Sequence, residues 1–293
     1  MNKIKDYLLL IKPSLSIMVV FSSIMSFALT KGSENYVDFW ERILLLFAGG
    51  ILVTGSANAI NQVVEKDTDA IMKRTAKRPV ASGRVTPKEG WVFAIITGAA
   101  GVFILGHYFN WLTAALGAFS LFLYAFIYTP LKKISSMAVL AGAVPGALPC
   151  LIGWAAGDNA LTLGGWILFA FQFLWQFPHF WAIAWVAHRD YTTAGFKLLP
   201  ADEGPTKFTA LQTVIYSLML VPVTLAPYYT GMCSYGDVKG MISLGLVALA
   251  NAFMIQRCLK LYSKMDVGSA RKVMFASYMY LPVVMLAWLL SKI

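Results

Sequence analysis

Long apolar runs separated by short polar breaks organise this chain, and each run is close to the twenty or so residues a helix needs to cross the hydrocarbon of a bilayer. Nine such runs predict nine spanning helices, at roughly 10–30, 43–64, 91–108, 111–128, 137–156, 163–187, 208–228, 240–259 and 273–291. Trp and Tyr recur near their ends (Trp40, Trp91, Trp111, Tyr128, Trp154, Tyr229), as in the aromatic belts at membrane–water boundaries. Glycine and proline are frequent inside the runs, as in AGAVPGALPCLIGW. Neighbouring helices or cavities can satisfy the backbone groups such residues free, and small residues let helices approach closely. The predicted class is all-α, a polytopic membrane protein with a single domain over 1–293. Spans 2–4 and 6–8 each lead through a long charged loop and could be related halves, although their sequences are too dissimilar to assert a repeat.

Composition agrees: 58% of residues are hydrophobic, 13% are charged and the mean hydropathy is +0.66. A soluble domain carries about 25% charged residues, so a soluble nucleic-acid binder, a disordered chain and a collagen-like chain are all excluded. The net charge of +10 then reports topology rather than a nucleic-acid partner. With the N-terminus in the cytoplasm, 20 of the 24 Lys and Arg fall on the cytoplasmic side, and only Lys31, Arg42, Lys239 and Lys292 fall opposite. The positive-inside rule therefore predicts N-in, C-out. The cytoplasmic loops are 65–90, 129–136, 188–207 and 260–272; those after spans 2 and 6 are the longest and most polar, which places the expected chemistry on that face. The N-terminal MNKIKDYLLLIKPSLSIMVV reads as a first span, since no small-residue cleavage site follows it. The absence of an Arg- and Ser-rich transit peptide favours a bacterial plasma (inner) membrane. Cys150, Cys233 and Cys258 have neither metal nor redox spacing.

The stretch NAINQVVEKDTDAIMKRTAKRPVASGR, 58–84, carries the most chemistry. Asn61, Glu65 and Asp69 recur every four residues, which keeps them on one helix face, and Lys73 continues the stripe. An amide and two carboxylates offer oxygen ligands to a hard cation; Mg²⁺ uses such sites together with water and substrate phosphate. Lys73, Arg74, Lys77 and Arg78 follow, suited to phosphate oxygens, and Pro79 is expected to end the helix. The alternative is a solvated juxtamembrane loop, which accounts for the basic residues but gives the carboxylates no reason to be periodic. In WQFPHFWAIAWVAHRDYTTAGFKLLP, 175–200, His179 reads either as a satisfied core histidine or as a ligand-facing one. Asp190 reads either as a second metal-facing carboxylate or as a partner of Arg189, and Lys197 lies further along. Lys12 beside Pro13, and Lys132 in YTPLKKISS, stand at the same face.

Together these residues resemble the UbiA superfamily of intramembrane prenyltransferases, and within it the branch that farnesylates haem. The superfamily pattern Asn-x3-Asp-x3-Asp is met by Asn61, Glu65 and Asp69, with Glu in the middle. The branch pattern D-x-x-M-x-R-T-x-x-R-P is met by Asp69, Met72, Arg74, Thr75, Arg78 and Pro79. Its P-H-F-W is met at 178–181, its D-Y-x-x-A-G by Asp190, Tyr191, Ala194 and Gly195, its Y-T-x-L-K at 128–132, and its G-A-x-P-x-L-I-G-W at 146–154. The resemblance runs from about Lys12 to Pro200. It departs in one place: the superfamily's second acidic pair is reduced, because Ala194 stands four residues after Asp190. The resemblance implies nine helices around a central cavity open to lipid, with farnesyl diphosphate and haem B as substrates, Mg²⁺ as the ion, and haem O and diphosphate as products. It implies Asn61, Glu65, Asp69 and Asp190 as the metal-holding catalytic set. Lys12, Lys73, Arg74, Arg78, Lys132 and Lys197 would serve the diphosphate, and His179 would contact the haem, as a candidate iron ligand. The lipid bilayer is the environment, and a haem A synthase or a terminal oxidase is a candidate partner. A branch that prenylates an aromatic acid or quinone precursor shares the metal site, and a transporter remains the rival of a different class.

Overall fold

The computed structural model describes residues 3–35, 37–201 and 204–293. Eight of its helices are each long and apolar enough to cross a membrane: α3 (Phe39–Val64), α5 (Pro87–Tyr108), α6 (Trp111–Phe122, extended to Leu131), α8 (Ala138–Asp158), α9 (Leu163–Val186), α11 (Lys207–Tyr229), α12 (Val238–Lys264) and α13 (Val267–Leu290). The remaining span is a pair, α1 (Lys3–Ile11) and α2 (Pro13–Leu29), bent by 44°. Among the described residues the spans are thus the nine expected. The expected loop at 260–272 is reduced to Met265 and Asp266. Its basic residues lie on the ends of α12 and α13, where charge does not interrupt a helix. Asp266 caps α13 by accepting from the Ser269 amide at 2.6 Å, and that hydrogen bond holds its carboxyl below the usual range.

The first span bends because of its own sequence. Pro13 has no N–H to donate backwards, and Lys12 takes a left-handed conformation with φ 51°. The break leaves the last carbonyls of α1 without helical donors. Side chains from α3 supply them: Gln62 Nε2 donates to Leu9 O and Leu10 O at 3.1 and 3.2 Å, and Asn58 Nδ2 donates to Ile11 O at 3.0 Å. Gln62→Leu would leave the buried Leu10 carbonyl unsatisfied and take one of two donors from Leu9 O, so its unfolding free energy in detergent is expected to fall by about 2 kcal/mol. Unchanged unfolding would mean that the bend does not need these bonds.

The nine spans pack as two trios, α3–α5–α6 and α9–α11–α12, bridged by α2, α8 and α13. The trios are the spans 2–4 and 6–8 of the sequence. α2 and α8 approach so closely that a Cβ on Gly153 would collide with the Ser23 carbonyl. Outward positions such as Ile95, Ile96, Phe103, Phe119, Leu249, Phe275 and Met279 stay exposed. Lipid tails are as apolar as these side chains, so nothing drives them inward. α3 and α9 share no extensive contact, and a cavity separates them.

Candidate active site

Two junctions with matching geometry carry the loops at 65–90 and 188–207 over this cavity. α3 stops at Val64, Glu65 takes φ −93°, ψ 13°, and the short α4 (Lys66–Ile71) follows. α9 stops at Val186, Ala187 takes φ −97°, ψ 17°, and the short α10 (His188–Thr193) follows. Helical hydrogen bonds bridge both junctions. Glu65 N donates to Asn61 O at 3.0 Å and Asp69 N to Glu65 O at 2.7 Å; likewise Ala187 N donates to Ile183 O at 2.9 Å and Tyr191 N to Ala187 O at 3.1 Å. The four-residue face of Asn61, Glu65 and Asp69 therefore survives the break. By the same register, Ile183, Ala187 and Tyr191 stand where the first loop has its amide and two carboxylates.

This correspondence explains where the expected residues fall. The cavity, about 600 Å³, is lined by Lys12, Asn61, Glu65, Asp69, Arg74, Arg78, Lys132 and His179. Asp190, Lys73 and Lys197 are not in its wall. Asp190 is half-buried on α10 and one residue off the inward face, which Tyr191 occupies. Lys73 is exposed because the helix ends at Ile71 rather than continuing to Pro79. The chain turns there as Thr75 Oγ1 donates to the Asp69 carbonyl at 2.9 Å. Lys197 is also exposed, and meets the site only through its backbone N–H, which donates to Lys132 O at 2.9 Å. Lys73→Ala and Lys197→Ala are accordingly expected to keep kcat/KM within about threefold of the parent, since exposed charges outside a site contribute little; a loss beyond tenfold would place them in it.

Each oxygen donor of the stripe faces its own cation. Lys12 Nζ donates to Asn61 Oδ1 at 3.0 Å, Lys132 Nζ to Glu65 Oε1 at 2.8 Å, and Arg78 Nη1 to both Asp69 oxygens at 2.7 Å. Asp69 is wholly buried, and Glu65 and Lys132 nearly so. Lys132 Nζ also lies 4.6 Å above the Tyr128 ring, a favourable place for a cation. Arg74 Nη2 donates to the Tyr191 hydroxyl at 3.2 Å. Four basic groups thus meet two carboxylates, an excess that invites an anion.

The donor set, two carboxylates and an amide oxygen, is the chemistry a hard divalent cation takes. Asn61 Nδ2 is buried without a partner, so the amide is held for its oxygen alone. Among the described residues no three His, Cys, Asp or Glu side chains converge; the carboxylates come from the first loop only. A cation here would share its coordination with water and a substrate anion.

Several wall residues escaped the sequence reading. A π-type turn at Leu123–Tyr128 ends α6 and accompanies the presentation of Tyr124 and Tyr128 to the cavity; such turns recur at functional sites. Gln172 and Gln176, polar and four apart in the apolar run FAFQFLWQF, were a readable signal. Tyr278 and Leu281 bring the last span into the wall, and no local pattern marked them. Met72, Ala194, Phe196, Tyr191 and Leu198 cluster to join the two loops over the mouth.

Both the sequence and the fold have known relatives. Residues 19–288 match the family model described as "UbiA prenyltransferase family". A curated "Protoheme IX farnesyltransferase" of Cytophaga hutchinsonii is 40% identical, covering 100% of this chain and 99% of the relative. One of that name from Flavobacterium psychrophilum is 38% identical, covering 98% and 94%. Among solved structures, one described as a digeranylgeranylglyceryl phosphate synthase superposes with a TM-score of 0.79 at 20% identity, covering 99% of each chain. A UbiA homologue from Archaeoglobus fulgidus, solved bound to GPP and Mg²⁺, superposes with a TM-score of 0.70 at 14% identity, covering 96% of this chain and 99% of that one. With a full-length match in sequence, the same fold, and an amide–carboxylate stripe facing basic residues inside a membrane cavity, the chain belongs to the UbiA prenyltransferase family.

Proposed function

We propose that this enzyme transfers the farnesyl group of farnesyl diphosphate to a vinyl group of haem B, with addition of water, releasing haem O and diphosphate. The observation that carries the reading is the cavity itself, which joins a cationic, oxygen-rich end to a wall of Trp175, Phe180, Tyr278 and Leu281. Its volume lies in the usual range for small-molecule sites, about 300–1,000 Å³. The relatives' activity supplies the acceptor.

Mg²⁺, held by Asn61, Glu65 and Asp69, would act as a Lewis acid on the departing diphosphate. Lys12, Lys132 and Arg78 pair with those same oxygens. When diphosphate enters, its oxygens compete for the three cations and for Arg74, freeing the carboxylates. The basic groups then meet the charge that grows as the carbon–oxygen bond breaks. Aromatic and aliphatic side chains exclude bulk water from the allylic cation, and His179 contacts the haem. The site opens to the cytoplasmic side of a bacterial plasma membrane in this reading. A physical partnership with a haem A synthase or terminal oxidase rests on the resemblance alone.

Purified protein in detergent, given haem B, farnesyl diphosphate and Mg²⁺, is expected to yield a haem heavier by farnesyl plus water, with none in EDTA. Mg²⁺-dependent diphosphate release without a new haem would refute the acceptor. The absence of both signals from folded protein would refute prenyl transfer.

A further inference from the structure

Two polar side chains in the aromatic wall are not used by the diphosphate chemistry, and both are held as pure hydrogen-bond acceptors. The first is Gln176 on α9, which is buried in the cavity wall. Its Nε2 donates to Ala143 O at 3.0 Å and to Gln172 O at 3.2 Å. Turning the amide over would set Oε1 against both carbonyls, so the orientation is fixed by its partners. Oε1 has no donor among the described residues. It lies against Gly146, another wall residue, in the space a Cβ there would fill.

The second is His179, one turn further on α9. Its Nδ1 is 2.7 Å from Ser277 Oγ, and Ser277 Oγ is 2.6 Å from the Met274 carbonyl oxygen. Two oxygens that close need a proton between them, and the serine hydroxyl has only one. Ser277 therefore donates to Met274 and accepts from His179 Nδ1–H. That bond sets the tautomer, leaving the lone pair on Nε2, which has no partner among the described residues. Trp175 stacks on the ring at 4.7 Å, and the Trp175 indole N–H donates to the Ser277 carbonyl at 2.9 Å, so histidine and serine are held as one unit.

Residues three apart on a helix share a face, and both side chains line the same cavity, so Gln176 Oε1 and His179 Nε2 offer two lone pairs to a ligand there. A haem carboxylate brings acceptors of its own and is repelled there. The matching ligand is a small group that donates two hydrogens, and the proposed reaction consumes one such molecule. We propose that Gln176 and His179 hold the water that adds to the haem side chain, which makes Gln176 a catalytic residue of the hydration half of the reaction. The inference rests on the haem reading above.

The balance is as follows. Farnesyl C1 bonds to the outer vinyl carbon and leaves the inner carbon cationic. The bound water's oxygen bonds to that carbon, one O–H bond breaks, and the proton passes to His179 Nε2 and then to solvent. If no water is held, the same cation loses a proton from the adjacent carbon. A double bond forms, and the product is lighter than haem O by one water.

The test is the mass of the haem product made by purified protein from haem B, farnesyl diphosphate and Mg²⁺. In Gln176→Met, which keeps length but removes the amide, the ratio of hydrated to dehydrated farnesyl haem is expected to fall by about tenfold or more. Gly146→Ala, which pushes Oε1 from its notch, and Ser277→Ala, which releases the histidine tautomer, are expected to lower the ratio in the same direction. They decide the matter if Gln176→Met does not fold. Farnesylated haem that stays fully hydrated in the variants would overturn the proposal. A parent enzyme that releases diphosphate but makes no haem product would instead overturn the acceptor.

Discussion

Asp69→Asn is expected to cripple turnover, with kcat lower by about 10²–10³-fold, while the protein still folds and inserts. The magnitude follows from removing a preorganised charge where the leaving group departs, since a single such group is worth about 10²–10³ in kcat. Asp69 is wholly buried, and both of its oxygens take the same Arg78 nitrogen at 2.7 Å. Asn keeps the shape and one acceptor, and Arg78, partly exposed, can turn to solvent, so no unpaired charge is left inside. A rate assay over a Mg²⁺ titration, with a fluorescence-monitored thermal melt of the same sample, checks both parts. Near-parental kcat at saturating Mg²⁺ would remove Asp69 from the metal site.

Lys132→Met carries the second large effect, and here stability and activity separate. Lys132 and Glu65 form a buried ion pair at 2.8 Å. Removing one partner strands the other charge, which costs about 3–5 kcal/mol, whereas replacing both is often near neutral. Lys132→Met is therefore expected to unfold more easily by about 3 kcal/mol and to be inactive. Adding Glu65→Gln to it is expected to bring stability back within about 1 kcal/mol of the parent without restoring turnover, a coupling that a double-mutant cycle reads directly. A double variant that regains turnover would make the pair a structural strut rather than a diphosphate and metal device.

These expectations depend on pairings that no window of sequence displays. Asn61, Glu65 and Asp69 announce themselves through a period of four. Lys12, Lys132 and Arg78 were legible as basic residues at one face, but which cation meets which oxygen was not. Lys12 reaches Asn61 because Pro13 bends the first span and Asn58 and Gln62 seal the bend. Lys132 reaches Glu65 from the end of α6, across 67 positions of chain. Asp190 is the contrasting case. It is an acidic residue of its loop, yet the register set by Ala187 turns its neighbour Tyr191 into the cavity wall.

The nine spans, the expected sidedness, the all-α class, the family resemblance and the oxygen stripe are all legible in the chain of residues alone. Each rests on composition or on a repeat within a few turns of helix, and such signals are local. The one-to-one pairing of cations with oxygens, and the placement of Asp190, Lys73 and Lys197 outside the cavity wall, come from the folded chain. So do the entry of α13 into the wall and the fixed orientations of Gln176 and His179. Those depend on where helices distant in sequence cross. In a membrane, crossing is set by close packing and by the need to satisfy every buried polar group, rather than by the hydrophobicity that marks the spans.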